Sequence, residues 1–561
     1  MTLYEFLCSE RESEGARARV LSAALLSGAT NAAVLAIVAA AKSSLGQPRP
    51  SLWLAFAAIC ALYVFSYGYC VKAITDLTES ALRSLRLRLN EKLRNTQLLV
   101  LDSIGPGKIY DQITQQTTVI SNSAWTLALG LQAATLMLFV LIYILFTSQI
   151  VIVTIVLLSA IAVPFYLQRN NQVITSTQEA TVTRVRLFGA LNDLLHGFKE
   201  IRLRQTRGED LQREYNAIAQ ATKDATVRAL VREQELHGFI SANFYLLLAF
   251  VVFVLPRWVT SGPGSLQDVT AAVLFLLGPL GVLSFTLPQY ERASLAAESL
   301  QALEARLEPA APATALSPGM QTPQPPAQLC PPERIVLSDL SFAYKDPAGG
   351  TGFAIGPVSL EILRGEIIFF VGGNGSGKTT LLKTLAGLYV PSSGSISVDG
   401  VPLSDLNRQA FRENIAAIFT DFHLFKKLYG LAHSSPLQVS ALLQQLQIAH
   451  KTAYGDNGFS RTDLSTGQRK RIAMVVALLE DRPLYIFDEW AADQDPEFRH
   501  YYYEHLLPDL KRRGKTVLAI SHDDRYFHCA DRVVTLDCGT VRSIETFPPP
   551  APSPASDQRR A

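Results

Sequence analysis

The chain contains the run Gly372-Gly373-Asn374-Gly375-Ser376-Gly377-Lys378-Thr379, between an apolar stretch, Ile367–Val371, and a helical stretch, Thr380–Leu388. A strand that enters a glycine-rich turn and leaves as a helix is typical of a P-loop, in which backbone N–H groups and the helix N-terminus face phosphate oxygens. In such a loop Lys378 reaches the β- and γ-phosphates, and the Thr379 hydroxyl binds Mg²⁺. The run therefore predicts a nucleotide site in an α/β domain.

Two further groups suited to phosphate chemistry follow later apolar runs. The acidic pair Asp488-Glu489 comes directly after Leu484–Phe487. By the logic of a Walker B strand, Asp488 would hold Mg²⁺ and Glu489 would polarise an attacking water. His522 follows the run Val517–Ile520 and is placed to contact the γ-phosphate. A histidine at a strand end is more often structural, so this role depends on the motifs below.

The first half of the chain is dominated by long apolar runs. Of the 561 residues, 48% are hydrophobic and 18% are charged, a deficit of charge that indicates such runs. About 20 apolar residues cross the roughly 30 Å hydrocarbon layer as a helix. Six runs of this kind precede residue 290, namely Val20–Ala41, Leu52–Lys72, Leu127–Phe146, Ile150–Leu167, Gly238–Trp258 and Val269–Leu287. They predict a membrane domain with six helices.

The distribution of Lys and Arg indicates how these spans are oriented. Basic residues are concentrated between the second and third spans and between the fourth and fifth, whereas the links 147–149 and 260–267 contain none. The two long segments and the N-terminus are therefore expected on the cytoplasmic side. The span interiors contain no Asp or Glu, in contrast to a carrier driven by protons or sodium. The energy for transport is thus expected from another source.

Composition divides the chain into four predicted regions. Residues 1–306 form the transmembrane domain, 307–332 a Pro/Ala-rich linker, 333–546 the α/β nucleotide-binding domain and 547–561 a disordered tail. The formal net charge of +2 gives no global basic field, which excludes a nucleic-acid partner. The six cysteines show no CxxC pair and no zinc or disulfide spacing, so they are interpreted as reduced and structural.

One more motif supplies a family resemblance. Leu464-Ser465-Thr466-Gly467-Gln468 opens the helical stretch Arg469–Leu479. Together with the P-loop and the acidic pair, this resembles the signature motif of ATP-binding cassette (ABC) transporters. Six spans followed by one such domain resemble an ABC exporter half-transporter, a multidomain membrane protein with a six-helix transmembrane domain and an α/β P-loop ATPase domain.

The resemblance implies ATP and Mg²⁺ as cofactors and assigns roles residue by residue. Tyr344 would stack on adenine, although a tyrosine packed in the core would look the same. Ser465 and Gly467 would touch the γ-phosphate of ATP on a partner subunit, which implies a homodimer. The implied ATP contacts are Tyr344, Gly372, Gly373, Asn374, Gly375, Ser376, Gly377, Lys378, Thr379, Thr380, Ser465, Gly467, Gln468 and Asp495. Thr379, Thr420 and Asp488 would bind the metal, and Glu489 and His522 would be catalytic.

The segment 415–425 departs from the general family pattern. Thr420 stands where the family has a glutamine that contacts Mg²⁺, and Asp421 is adjacent, so which of the two serves the metal is open at this point. The segments Gly105–Gln112 and Leu191–Arg202 are candidates for the loops that transmit closure of the ATPase domains to the membrane. Ordinary amphipathic helix ends would have the same pattern.

The segments Asp488–Arg499 and Ser521–Phe527 resemble the bacterial cyclic-peptide exporter family, which includes exporters of the pyoverdine precursor, of syringomycin and of lasso-peptide microcins. This resemblance implies ATP-driven export of a siderophore precursor, lipopeptide or microcin-like peptide across the bacterial inner membrane. The partners would be the lipid bilayer, the second subunit and, where needed, periplasmic or outer-membrane accessory proteins. Two alternatives stay open, namely a lipid or multidrug exporter and an ATP-gated channel or membrane-bound regulator.

Overall fold

The computed structural model describes residues 5–6, 13–42, 50–257, 263–307, 331–345, 351–431 and 433–547. These residues form two compact units. One unit contains the described residues up to Arg94 and those from Ile104 to Leu307. The other contains Asn95–Ser103 and the described residues after Leu307.

The first unit is helical throughout its described residues. Its helices are α1 (Ser13–Lys42), α2 (Pro50–Asn95), α4 (Pro106–Thr147), α5 (Gln149–His196), α6 (Phe198–Leu203), α7 (Gln205–Ala249), α8 (Pro263–Phe275) and α9 (Leu277–Arg306). Helix α3 (Leu98–Ile104) follows α2 in the chain but belongs to the second unit, except for its last residue, Ile104. Helix α7 continues as a π-helical turn, Phe250–Val254, and a short 3₁₀ turn, Leu255–Arg257.

Six helical segments are long and apolar enough to cross a membrane, which confirms the predicted number of spans. Several are much longer than a bilayer requires, for example the 46 residues of α2 and the 48 residues of α5. At 1.5 Å rise per residue, helices of this length project well beyond a hydrocarbon layer of roughly 30 Å. The basic residues that follow the second and fourth spans, up to Asn95 and His196, are therefore part of the same helices as those spans.

Helices α4 and α9 approach each other through a glycine and a threonine. A Cβ atom added to Gly130 would lie 2.4 Å from Cγ2 of Thr286. The hydroxyl of Thr286 donates to the carbonyl of Thr126 at 3.3 Å, across the same contact. In a membrane, an apolar side chain is as favourable against lipid as against another helix, so helices associate through close packing. Small residues allow this close approach.

The second unit contains the predicted α/β fold. Its strands are β1 (Arg334–Lys345), β2 (Thr351–Leu363), β3 (Ile367–Val371), β4 (Ser393–Val398), β5 (Val401–Pro402), β6 (Ile415–Ile418), β7 (Tyr454–Gly455), β8 (Gly458–Phe459), β9 (Leu484–Phe487), β10 (Thr516–Ile520), β11 (Arg532–Asp537) and β12 (Thr540–Thr546). The main sheet has the order β12-β11-β3-β10-β9-β6, and a second sheet has the order β2-β1-β4-β5.

The main sheet places the ends of four strands side by side. Strands β3, β10, β9 and β6 are parallel neighbours, so the residues that follow them meet at one edge. The helices around the sheets are α10 (Lys378–Leu385), α11 (Arg408–Arg412), α12 (Pro436–Gln445), α13 (Thr466–Glu480), α14 (Pro496–Tyr501) and α15 (Leu507–Arg512). The described residues between β6 and α13 include one helix, α12.

A short segment between the second and third spans belongs to the second unit. Leu98 and Leu99 pack against the core of that unit, and the hydroxyl of Tyr389 donates to Asp102 at 2.9 Å. This contact precedes the segment Gly105–Gln112, which is predicted to transmit closure. The side chains that pack against the core of the second unit are those of Leu98 and Leu99.

Most of the predicted linker and tail lies outside the described residues. Residues 308–330 and 548–561 belong to that part of the chain. Helix α9 ends at Arg306 and β1 begins at Arg334, so the described elements stop and start next to the predicted linker. The boundaries of the four regions stay predictions.

We expect Gly130→Val to destabilise the membrane unit, because the added side chain must displace Thr286. Overpacking of this kind costs about 1–3 kcal/mol. The measurement is the apparent melting temperature in detergent, which should fall by a few degrees. Gly281→Val on α9 is the control, since no atom lies within 4 Å of its added Cβ. Equal melting temperatures for the two variants would contradict the packing argument.

Candidate nucleotide site

The glycine-rich run forms a tight turn between β3 and α10. Gly377 caps the helix at a φ of 95°, and a Cβ atom there would lie 2.4 Å from Cγ2 of Ile355. Gly372 has a φ of 145°, and its Cβ would lie 2.2 Å from the carbonyl oxygen of Leu536. Both positions therefore require glycine, for backbone conformation and for space.

Two buried polar groups of the loop are suited to an anionic ligand. The Lys378 ammonium is 5% exposed and donates to the carbonyls of Gly372 and Gly373 at 3.0 and 2.9 Å. Burial lowers the pKa of Lys378, while the carboxylates of Glu489 and Asp488 act in the opposite direction. The buried Ser376 hydroxyl has no hydrogen-bond partner among the described residues. Phosphate oxygens would satisfy both groups, so the loop fits its predicted ligand.

Asp488 follows β9 and is fully buried. Its carboxylate accepts hydrogen bonds from the hydroxyls of Thr379 and Thr420, each at 3.2 Å. Burial raises the pKa of Asp488, and the hydrogen bonds from Thr420 and Thr379 only partly oppose this shift. A buried carboxylate beside two hydroxyls is an oxygen donor set that a hard divalent cation would stabilise. The three predicted metal residues are thus brought together and fit Mg²⁺.

The structure separates the two residues between which the sequence could not choose. Thr420 lies at Asp488, to which its backbone N–H also donates, at 3.4 Å. Asp421 instead pairs with Lys383 at 3.0 Å and is largely exposed. The geometry therefore favours Thr420 over Asp421 as the residue that serves the metal.

Glu489 and His522 meet beyond the ends of β9 and β10. The Nε2 atom of His522 lies 3.0 Å from Oε1 of Glu489, and both side chains are partly exposed. Glu489 has a φ of 49°, an uncommon conformation for a residue with a side chain. Such backbone strain is concentrated at functional sites. The two predicted catalytic residues therefore form one pair, open to solvent beside the P-loop strand.

Lys470 organises this region, although sequence reasoning did not identify it. The ammonium is 3% exposed, donates to the carbonyl of Glu489 at 2.7 Å and pairs with Asp493 at 2.6 Å. The available signal was its position, four residues before Met474 on the buried face of α13. A lysine at a core position of a helix requires a partner, and here the partner is the segment from Glu489 to Asp493.

The signature motif begins α13. The Ser465 hydroxyl accepts from the Gln468 backbone N–H at 3.4 Å, and the Gln468 side chain accepts from the Ser465 N–H at 3.3 Å. This capping box fixes the start of the helix. Ser465 is exposed, so the positive end of α13 faces outward. A Cβ at Gly467 would lie 2.3 Å from the carbonyl oxygen of Asp493, so this position too tolerates only glycine.

Asp495 has a structural role in addition to the predicted one. Its carboxylate caps α14 by accepting from the Phe498 N–H at 2.8 Å, and it pairs with Arg471. The Phe498 N–H, with help from Arg471, lowers the pKa of Asp495. Arg471 also donates to Gln494 at 2.8 Å, so the signature helix and the loop after Glu489 are joined by several bonds.

Tyr344 lies next to the helix that follows the P-loop. Its hydroxyl is 3.3 Å from the hydroxyl of Thr380, and its ring packs edge-on against Phe342 at 5.1 Å. The ring is half-buried, which is compatible both with a platform for adenine and with core packing. The two interpretations given above therefore both stand.

Comparisons with known proteins agree on the family. The family profile described as ABC transporter matches residues 355–492. The chain is 31% identical over 543 residues to "ATP-binding protein SyrD" of Pseudomonas syringae pv. syringae, a region that covers 92% of each protein. It is 25% identical over 532 residues to an "ATP-dependent lipid A-core flippase" of Cupriavidus metallidurans, covering 88% of this chain and 83% of that protein.

A solved structure supports the fold. The structure of a bacterial Atm1-family ABC exporter with ATP bound superposes with a TM-score of 0.75 and covers 95% of this chain and 96% of its own. Sequence identity is 18%, so this likeness concerns the fold alone.

We expect Thr420→Val to weaken Mg²⁺-dependent nucleotide binding, because the substitution removes a hydroxyl from Asp488 while keeping a similar shape. Loss of a partner of this kind typically costs 10–100-fold in metal affinity, so the Mg²⁺ concentration for half-maximal binding should rise by about tenfold or more. A Mg²⁺ titration of nucleotide binding measures this change. Asp421→Asn is the matched control and should leave the titration unaltered. If Asp421→Asn weakened Mg²⁺-dependent binding and Thr420→Val did not, Asp421 would be the residue that serves the metal.

Proposed function

This chain belongs to the ABC transporter family as an exporter half-transporter, and we propose that it moves a cyclic or otherwise modified peptide outward across the bacterial inner membrane. It is a multi-pass membrane protein that couples ATP hydrolysis to transport. The proposed substrate class comprises siderophore precursors, lipopeptides and microcin-like peptides. The resemblance of segments 488–499 and 521–527 to cyclic-peptide exporters supports this class.

The observation that carries the proposed catalytic mechanism is the Glu489–His522 pair, 3.0 Å apart beside the buried Asp488. Glu489 would accept a hydrogen bond from the attacking water and orient it, and His522 would hold the carboxylate in place. Lys378 would neutralise charge that develops on the transferred phosphoryl group. Thr379, Thr420 and Asp488 would hold Mg²⁺, which would supply further charge neutralisation when bound.

The proposed working unit is a homodimer. Each chain has one P-loop and one signature helix, and the N-terminus of that helix is exposed at Ser465. A helix N-terminus binds anions because its free N–H groups and dipole point outward. Ser465 and Gly467 of one copy would therefore bind the γ-phosphate of ATP held by the other copy. The concentration of Lys and Arg in the two long segments supports placing the ATPase domain in the cytoplasm.

A cavity in the membrane unit has chemistry that suits a peptide. It measures about 440 Å³, a size typical of ligand pockets, and lies between α5 and α9. Its lining combines apolar side chains such as Val173 and Leu295 with the carboxylates of Glu291 and Glu298. Asn170 donates to Glu291 at 3.2 Å and orients it. An amphipathic peptide that carries amino or guanidinium groups fits this lining.

A lipid exporter is the second candidate function. The similarity to lipid A-core flippases favours it, since one of them aligns along 88% of this chain. The lining contains two carboxylates, of Glu291 and Glu298, and one guanidinium, of Arg292, which is paired with Glu233 at 3.6 Å. The resulting excess of negative charge favours a cationic peptide over a lipid with phosphate groups.

We expect ATP-dependent uptake of a cationic cyclic lipopeptide into inside-out vesicles that contain the protein. Glu489→Gln should lower both ATP hydrolysis and uptake by at least a hundredfold, because the general base is lost while ATP binding is kept. Glu545→Gln, an exposed substitution on β12, is the control and should behave as the native protein. ATP hydrolysis with lipid flipping but without uptake from a broad peptide panel would replace the peptide assignment with the lipid one. Slow hydrolysis without any vectorial transport would favour a channel or regulator.

We expect Glu291→Gln to raise the KM for a cationic peptide several-fold and to leave unstimulated ATP hydrolysis unchanged, because the substitution removes a cavity carboxylate of the first unit, whereas the proposed phosphate chemistry belongs to the second unit. Glu214→Gln, an exposed position on α7, is the control. The measurement is initial uptake against peptide concentration. An unchanged KM would remove this cavity from the proposed substrate path.

A further inference from the structure

Three side chains capable of binding a metal meet on the second unit, outside the nucleotide site. They are Glu504, His528 and Cys529, and their ligand atoms all lie within 4.8 Å of one another. The Nε2 atom of His528 is 3.2 Å from Oε1 of Glu504 and 3.5 Å from Sγ of Cys529. One imidazole nitrogen therefore lies between a carboxylate oxygen and a thiol sulfur.

These separations are those of ligands around a tetrahedral cation. With metal–nitrogen and metal–oxygen distances near 2.0–2.2 Å and metal–sulfur near 2.3 Å, tetrahedral angles give about 3.3 Å between N and O and about 3.5 Å between N and S. A combination of imidazole, thiolate and carboxylate is the donor set of Zn²⁺, whereas Mg²⁺ requires oxygen ligands. The cluster therefore differs in chemistry from the site at Asp488.

The two elements that carry the ligands are held together without a metal. Glu504 lies in a π-helical turn, Tyr502–Leu506, and the other two residues lie in the 3₁₀ turn Asp524–Cys529. The rings of Tyr503 and Tyr526 stack across the two turns at 4.4 Å, with an angle of 12° between them. The ligands are thus positioned before a cation binds.

The π-helical turn is a second, independent indication. Such turns are rare and are frequent at functional sites, because the extra residue changes the direction of the side chains that follow. Here Tyr502, Tyr503 and Leu506 face the core, and Glu504 is left at the surface of the turn. His528 is more than half exposed and Glu504 about one third, so a cation can enter and a water can complete the shell.

We propose that Glu504, His528 and Cys529 bind one zinc-type divalent cation, with water as the fourth ligand. The cation would join the 3₁₀ turn Asp524–Cys529, which follows His522, to the π-helical turn Tyr502–Leu506. The spacing of cysteines along the chain does not reveal this site, because its ligands come from two segments that only the fold brings together.

Cobalt(II) titration of the full chain in detergent, without nucleotide, tests the proposal. Co²⁺ replaces Zn²⁺ at such sites, and a thiolate ligand produces an intense charge-transfer absorption in the near ultraviolet. We expect this absorption to saturate at one Co²⁺ per chain and to be abolished by equimolar Zn²⁺. Cys529→Ser should eliminate the absorption, and His528→Gln should weaken Co²⁺ binding at least tenfold. Melting temperatures measured without metal confirm that both variants fold.

Two controls distinguish the site from adventitious binding. Cys538→Ser removes an exposed thiol elsewhere on the unit, and His505→Gln removes the exposed histidine next to Glu504. Both should retain the native titration. The proposal is overturned if the native chain shows no thiolate absorption, if the absorption survives Cys529→Ser, or if either control abolishes it. In those cases the three side chains form a hydrogen-bonded row without a metal function.

Discussion

The buried carboxylate of Asp488 is the constraint on which the arrangement of the ATPase unit depends. A charged group without exposure to water is strongly destabilised unless hydrogen bonds or a cation compensate it. Thr379 and Thr420 provide part of this compensation through hydrogen bonds. Thr379 lies at the start of α10, which follows β3 and the glycine-rich turn, and Thr420 lies just after β6. The parallel order of β3, β10, β9 and β6 is what brings the strand ends to one edge of the sheet. The remaining demand for positive charge is the physical basis for proposing Mg²⁺ at this position.

The same edge connects the ATP site to the surface expected to meet a second copy. Lys470 and Arg471 lie in the first turns of the signature helix and bond to the segment that follows Glu489. These bonds join the start of the signature helix to the backbone of Glu489. Because Lys470 is almost fully buried, its bonds to Glu489 and Asp493 cannot be exchanged for water at low cost. The link between the signature motif and Glu489 is thus made within one chain, whereas the ATP site proposed above would use two.

Different interactions hold the helices of the membrane unit together. Large apolar side chains such as Val140 and Phe244 fill its buried clusters, while small residues allow close helix contacts, as at Gly130 and Thr286. The cavity between α5 and α9 combines carboxylates with an apolar lining. Residues 95–103 lie between the second and third spans but belong to the second unit, where Leu98 and Leu99 pack against the core and Asp102 accepts a hydrogen bond from Tyr389. The amphipathic composition of this segment, with apolar side chains and a carboxylate for Tyr389, explains this packing.

The six spans, the P-loop and the acidic pair were predictable from the sequence, because each depends on residues that are neighbours in the chain: an apolar run of sufficient length, or a glycine turn between a strand and a helix. The assignment of individual site residues stays a prediction, although the fold places the proposed metal and catalytic residues together. Tertiary structure decided what depends on distant segments. It distinguished Thr420 from Asp421, revealed Lys470 as the link to Glu489, and assembled Glu504 with Cys529. These contacts arise where strand ends and helix turns converge, and local sequence patterns carry no information about which segments converge.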